Sequence, residues 1–398
     1  MKVLYTHRTQ GRGAEGAHVA GMVEAFRTLG HEVEVDCLAG CDPTRPPATE
    51  PAAGSAPAGL SRRLLAAVSA RAPQWLFGVF EVLYNLPLAL RLLPKLLLRR
   101  PDLVYERYSL CTFVPALACR LLRIPHVLEV NDSVVIERSR PLALARTSRW
   151  FERRIVDWTC VIVTISEQFR RQMVEGLGLD AQRVLVCPNA VSRPRFVERQ
   201  RLAPEARQAL RERHGIATAR VIGSAGQFVA WHGLPRFLAA AADCIRRRDL
   251  YVLFIGDGPT RQETLDVARQ HGIADRVRFT GMVSLAAVPD HLELLDIAII
   301  PFSNIHGSPM KLMEFMAMRL PVLAPALPPI LEVLVDGETG FIFPRDDMAA
   351  MVATLERVLD DGAALARVGR NAQEHVVRHL TWDAHAERVL RHLGLCGR

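Results

Sequence analysis

The sequence predicts an α/β protein made of two doubly wound, parallel-sheet domains. Three observations carry this. Short apolar runs alternate with amphipathic stretches along the whole 398 residues. The runs fall into two series of six, parted by a polar stretch at residues 192–216. The length suits two domains, and a globule of this size buries roughly 75% of its unfolded surface, so it needs no metal or disulfide staple. Apolar residues make up 49% and charged residues 23%, which excludes a disordered chain or a coiled coil. No unit of solenoid or propeller length repeats.

The first series of expected strands is Lys2–Tyr5, Glu32–Asp36, Leu103–Glu106, His126–Val130, Cys160–Ile165 and Val184–Cys187. The second is Val221–Ala225, Tyr251–Ile255, Val277–Thr280, Ile297–Ile300, Pro321–Ala324 and Gly340–Phe343. Helical patterns between them place helices on both faces of each sheet. The expected domains are 1–196 and 197–380, with 381–398 a helix crossing back to the first. The carboxyl ends of both sets of strands are expected to face one central cleft.

Two segments interrupt the alternation. Pro43–Ser61, rich in Pro, Ala and Gly, reads as a loop. Trp75–Arg100 is strongly apolar, yet Glu81, Pro87, Arg91, Pro94 and Lys95 break it, so it is not a membrane-spanning helix. Residues 1–200 hold 27 Lys and Arg against 19 Asp and Glu, so the whole net charge of +8 lies there. The basic half and the 62–100 segment suggest an anionic membrane surface as partner, with packing of one face on the sheet as the alternative. Nucleic acid is not expected, because the arginines lie on apolar helices without interleaved aromatics or a reader motif. The eight cysteines have no C-x-x-C or zinc spacing and read as buried free thiols. The opening strand lacks the features of a signal peptide, so the expected location is cytoplasmic, with a peripheral place on the membrane's inner face as the companion expectation.

Gly11-Arg12-Gly13-Ala14-Glu15-Gly16 satisfies G-x-G-x-x-G, with Asp36 at the end of the second strand. That is the spacing of a nicotinamide-binding unit. Thr6–Gln10, however, separate the glycines from the strand, so the segment, with Gly13, reads as a phosphate or sugar loop.

The second domain is more informative. Three stretches follow successive strands: Gly226–Gly233, Gly256–Pro259 and His306–Ala317. In the third, Ser308 reads as a helix cap and Pro309 as the first helical residue. The open N–H groups of Met310, Lys311 and Leu312 then make a diphosphate seat at the helix start. Glu314, one turn further in, is placed to accept hydrogen bonds from a ribose diol.

With these residues in place, the sequence resembles the family-4 (group 1) retaining glycosyltransferases of the GT-B fold. The resemblance runs over nearly the whole chain. It rests on Gly13, Leu29–Val33, Glu129-Val130-Asn131-Asp132, Thr164–Ser166, Pro188–Val191, Gly256–Pro259, Phe279–Gly281, residues 306–317 and Asp336–Gly340. It implies that Glu314 holds the donor ribose and that His306 stands where an acid usually lies near the donor sugar. Gln227 and His232 stand where an Arg and a Lys usually grip the diphosphate. Gly13 and Gly258 belong to the donor-binding loops, and Met282 and Val283 line the nucleobase. Asn131 replaces a histidine common beside the reacting carbon. A UDP-sugar is favoured over GDP-mannose as donor. The expected acceptor is lipid-linked, in envelope polysaccharide or glycolipid assembly. Glycosylation of a soluble natural product, or sugar-nucleotide epimerisation on the same fold, is the alternative. With no D-x-D, no metal or other cofactor is expected.

Overall fold

The computed structural model describes residues 1–11, 13–38, 40–45, 74–136, 145–216, 218–303 and 308–394. Most of the expected Pro43–Ser61 loop, and His306, lie outside them. The chain divides into two compact units, Met1–Cys187 with His385–Arg398, and Pro188–Ala384. All twelve expected strands are present, with each end within a residue of its expected place.

In the first unit, β1 (Lys2–Thr6), β2 (Glu32–Asp36), β3 (Leu103–Arg107), β4 (His126–Val130), β5 (Val161–Thr164) and β6 (Val184–Val186) form one parallel sheet. Its order is β2-β1-β3-β4-β5-β6. The inner strands β1, β3, β4 and β5 read as largely apolar runs because both faces are covered; Leu4, Tyr5, Val104, Tyr105, Val127 and Leu128 are all buried, whereas edge strand β2 alternates Glu32, Val33, Glu34 and Val35. The helices are α1 (Gly13–Thr28), α2 (Gln74–Leu83), α3 (Asn85–Arg99), α4 (Val114–Leu122), α5 (Ala145–Trp158) and α6 (Glu167–Leu177). Ser166 caps α6 by accepting the Phe169 N–H, and Gly178 closes it in the left-handed region.

The apolar 75–100 segment thus becomes two helices. Leu88, Leu92 and Leu96 of α3, four residues apart, pack with Leu4, Val104 and Cys119. Arg91 and Lys95, which broke the apolar run in sequence, both reach fully buried Asp36: Arg91 Nη2 lies 3.0 Å from Oδ2 and Lys95 Nζ 2.7 Å from Oδ1. Thr6 Oγ1 donates to the same carboxylate. Asp36 is therefore held inside the fold and is not open to a ribose. The opposite face of α3 is exposed.

In the second unit, β7 (Arg220–Ala225), β8 (Leu250–Ile255), β9 (Val277–Phe279), β10 (Ile297–Ile299), β11 (Val322–Pro325) and β12 (Phe341–Phe343) form a parallel sheet ordered β12-β11-β10-β7-β8-β9. Its longer helices are α7 (Pro204–Arg213), α8 (Leu234–Arg247), α9 (Arg261–Gln270), α10 (Met310–Ala317), α11 (Met348–Leu359) and α12 (Gly362–His379). A further helix, α13 (Trp382–His392), straddles the point at which the chain returns to the first unit.

The division between units falls after Cys187 rather than after Phe196. Val191 bridges Thr381 in parallel and lies in the second unit's core, so the chain has already joined that unit. The polar 192–216 stretch is part of this unit and not a free linker. Arg199 pairs with Asp290 and Glu293, and Arg207 Nε donates to the Glu293 carbonyl at 2.9 Å. Among the described cysteines none is paired; Cys111, Cys119, Cys187 and Cys244 are buried as expected, whereas Cys160 is exposed.

Candidate active site

In an open parallel sheet, ligands sit beyond the carboxyl ends of the strands where the strand order reverses. In the second unit that point lies between β7 and β10. The loop after β7 is Gly226–Gly233, and α10 follows β10.

The loops after β7 and β8 are packed backbone to backbone. A Cβ on Gly256 would stand 2.1 Å from the Gly226 carbonyl oxygen, and one on Gly258 would stand 2.2 Å from that of Phe228. Phe228 N–H donates to the Asp257 carbonyl at 3.0 Å, and Gly226 N–H to that of Ile255 at 2.9 Å. Gly258 therefore has a packing role: it lets the two loops touch.

The helix start differs from its expected form. Residue Pro309, not Ser308, caps α10, and Ser308 is buried and engaged elsewhere. Its Oγ accepts the Asn189 N–H at 3.0 Å, and its carbonyl accepts Asn189 Nδ2 at 2.5 Å. Leu312 N–H is spent on the Pro309 carbonyl at 2.9 Å. Among the described residues, the amides at this end that have no acceptor are those of Met310 and Lys311. Asn189 pins the helix start from 119 residues away, a role that the short run Pro188–Val191 did not reveal in sequence.

Lys311 does not extend into solvent. Its Nζ lies 3.2 Å from His232 Nε2, and a Cβ on Gly226 would stand 3.5 Å from it. Burial pushes the Lys311 amine down to about 8, against the pull of Glu314. Burial, then the Lys311 charge, pushes His232 down to about 4, so at neutral pH the imidazole is uncharged. The ammonium can donate to its Nε2 lone pair. Glu314, one turn along α10, is pushed up to about 7 by burial, with Lys311 and Arg195 opposing. Among the described residues its carboxylate takes part in no hydrogen bond.

Lys311, His232 and Glu314 therefore converge, with exposed Gln227 beside them on the β7 loop. Met282 is exposed after β9, while Val283 is half-buried against the core. Among the described residues no group of three His, Cys, Asp or Glu side chains is placed to hold a metal.

The first unit has its own switch point, between β1 and β3. Gly13 opens α1 at φ +60°, with open space around its Cα. The loop's other two glycines serve packing: a Cβ on Gly11 or Gly16 would meet a carbonyl oxygen at 2.2 or 2.3 Å. Asn131 stands one residue past β4, and its Nδ2 donates to Glu129 Oε1 at 2.7 Å. Sequence reasoning missed that carboxylate as an organiser. His18 Nε2 lies 2.8 Å and Arg107 Nη1 2.6 Å from the same oxygen, and Tyr105 OH donates to Oε2 at 2.8 Å. His18, followed by Arg107, holds the buried Glu129 carboxyl well below the usual carboxylate range, against burial. His7, just past β1, is pushed down to about 4 by burial. Glu129 reads as one more strand residue until those side chains arrive from three other elements.

Two family models span most of the chain. Residues 16–195 match "Glycosyltransferase Family 4", and residues 206–375 match "Glycosyl transferases group 1". The chain belongs to the family 4, group 1 glycosyltransferases. This glycosyltransferase is 29% identical over 266 residues to alpha-D-kanosaminyltransferase of Streptomyces kanamyceticus, covering 65% of this chain and 68% of that one. It is 25% identical over 279 residues to a GDP-mannose-dependent alpha-(1-6)-phosphatidylinositol monomannoside mannosyltransferase of Mycobacterium tuberculosis, covering 68% and 69%. The structure of Anabaena Alr3699/HepE in complex with UDP superposes with a TM-score of 0.71 at 17% identity, covering 99% of this chain and all of that one. This likeness establishes the GT-B fold.

Proposed function

We propose that this glycosyltransferase moves a sugar from a nucleoside diphosphate sugar, a UDP-sugar in preference to GDP-mannose, to an acceptor hydroxyl with retention at the anomeric carbon. The observation that carries the reading is the meeting of Lys311 Nζ, His232 and the start of α10 at the switch point of the second sheet. A departing diphosphate needs positive charge and N–H donors, and the site supplies both. Lys311 takes over the charge that Gln227 and uncharged His232 do not provide. Glu314 accepts from the ribose hydroxyls. His306, beside the donor sugar, and Asn131, beside the reacting carbon, are proposed to complete the site.

In the reaction the bond from the anomeric carbon to the β-phosphate oxygen breaks. The acceptor oxygen bonds the same face of that carbon, and its proton passes to the leaving phosphate. The protein's part is to stabilise the leaving group and to orient the acceptor, and the proposal assigns no resident metal. The UDP preference is supported by the UDP held in the Anabaena structure of the same fold. For the acceptor, carried by the first unit, we favour a lipid-linked glycoconjugate of envelope assembly. The phosphatidylinositol-directed mycobacterial relative supports this. The kanosaminyltransferase relative supports a second reading, glycosylation of a soluble natural product.

Isothermal calorimetry of Glu314→Ala with UDP tests the donor site. Loss of measurable binding is expected; wild-type affinity in this variant would overturn the assignment.

A further inference from the structure

We propose that the first unit docks on an anionic lipid bilayer through two neighbouring surfaces, the outward leucine face of α3 and the arginine–tryptophan patch of α5. The inference rests on the lipid-linked acceptor reading and names the surface that would serve it.

The first surface follows from the packing of α3. Its inner face fills the core with Leu88, Leu92 and Leu96, yet the outer face is apolar too. Leu83, just before the helix, is 58% exposed, Leu86 67%, Leu90 74%, Leu97 56% and Leu98 85%. Exposed Pro87 and Pro94 lie among them. Between residues 83 and 98 the exposed side chains include no charged or polar one, because Arg91 and Lys95 turn back to Asp36. A soluble surface rarely presents a contiguous apolar stripe of this kind without a partner. No described helix is long and apolar enough to cross a membrane, so the face would lie in the interface and not span it.

The second surface supplies charge complementarity. The crossovers β2 to β3, β3 to β4 and β4 to β5 all step the same way along the sheet. Right-handed connections then put α3, α4 and α5 on one face of it. The helices α3 and α4 pack together, as do α4 and α5, and exposed Leu121 ends α4. On α5, Trp150 is 55% exposed over a Phe151–Phe113 stack. Arg146, Arg149 and Arg153 border a hollow beside it, and among the described residues none of them is ion-paired. Exposed Trp at the rim, leucines for the acyl boundary and unpaired arginines for lipid phosphates are the components of an interfacial anchor. The net +8 of the first 200 residues has the matching sign. A second copy of the chain would bring its own unpaired arginines to the same face; an anionic bilayer meets both surfaces at once.

The test is co-sedimentation of the full chain with vesicles of equimolar phosphatidylglycerol and phosphatidylcholine, and with phosphatidylcholine alone. Wild type is expected to pellet with the anionic vesicles and only weakly with the neutral ones. Leu90→Glu with Leu97→Glu should abolish pelleting. The triple change Arg146→Gln, Arg149→Gln and Arg153→Gln should weaken partition about a hundredfold, at about fivefold per arginine. Both variants should retain wild-type UDP affinity, which separates this proposal from the donor assignment. Wild type left in the supernatant, or variants that pellet like wild type, would overturn it. So would a lipid-free dimer in sedimentation velocity that the two glutamates dissolve, since a second copy would then be the occupant.

Discussion

Lys311→Met should move binding and stability in opposite directions. The ammonium lies 3.2 Å from His232 Nε2 at the mouth of the Gly226 loop, within reach of a diphosphate on the α10 amides. A hydrogen bond from a charged donor contributes roughly 1.5–3 kcal/mol. Coulomb attraction at 4 Å in an effective dielectric of 20 sets a ceiling of about 4 kcal/mol. Taking about 2 kcal/mol, UDP affinity at pH 7 should fall roughly thirtyfold in Lys311→Met. Stability runs the other way. Burial holds the amine near 8 in the folded protein, against about 10.4 when unfolded. Below pH 8 both states carry the proton, and only the folded one bears the cost of a buried charge. Between pH 8 and about 10.4 the unfolded state binds more protons, so wild-type stability rises with pH. Lys311→Met removes that cost. Its ligand-free Tm should exceed that of wild type at pH 7, and the gap should close towards pH 10. Calorimetry with UDP and a thermal-melt pH series read the two halves. Unchanged UDP affinity, or a lower ligand-free Tm at pH 7, would refute the placement of the ammonium.

Two further outcomes follow from buried groups. Glu129→Gln leaves the largely buried Arg107 without its counter-charge and should cost about 3–5 kcal/mol at pH 7 in urea unfolding. Because His18 and Arg107 depress the Glu129 carboxyl, its stabilisation is present above the unfolded value near 4.3 and is lost as pH falls through the lower folded one. The difference from wild type should therefore shrink below pH 4. Gly258→Ala drives a methyl into the Phe228 carbonyl and should destabilise by about 1–3 kcal/mol in the same assay, with weaker UDP binding as the two loops part.

The inner strands were legible because a parallel sheet covered on both faces writes them as largely apolar runs, and edge strand β2 was legible by its alternation of Glu and Val. The site was legible only in part. Glu314 and the glycine loops announce themselves by spacing, but which way Lys311 points depends on loops that meet only once β7 and β10 lie side by side. Ser308 before a proline reads locally as a cap, yet its hydroxyl is claimed by Asn189 from a distant loop. Asp36 matches a ribose-binding acid by position, and Arg91 and Lys95 of α3 pre-empt it. In each case a local pattern is redirected by a partner far along the chain, and no window of sequence contains both.

The membership of His385–Arg398 in the first unit bears on biosynthesis. Arg388 Nη1 donates to the Val186 carbonyl of edge strand β6 at 3.1 Å, across 202 residues. During translation β6 leaves the ribosome long before that guanidinium exists. At about 5–20 residues per second the interval is roughly 10–40 s. Throughout it the nascent first unit would present a sheet margin still lacking its clasp, a natural point of engagement for chaperones and of mispairing for neighbouring chains.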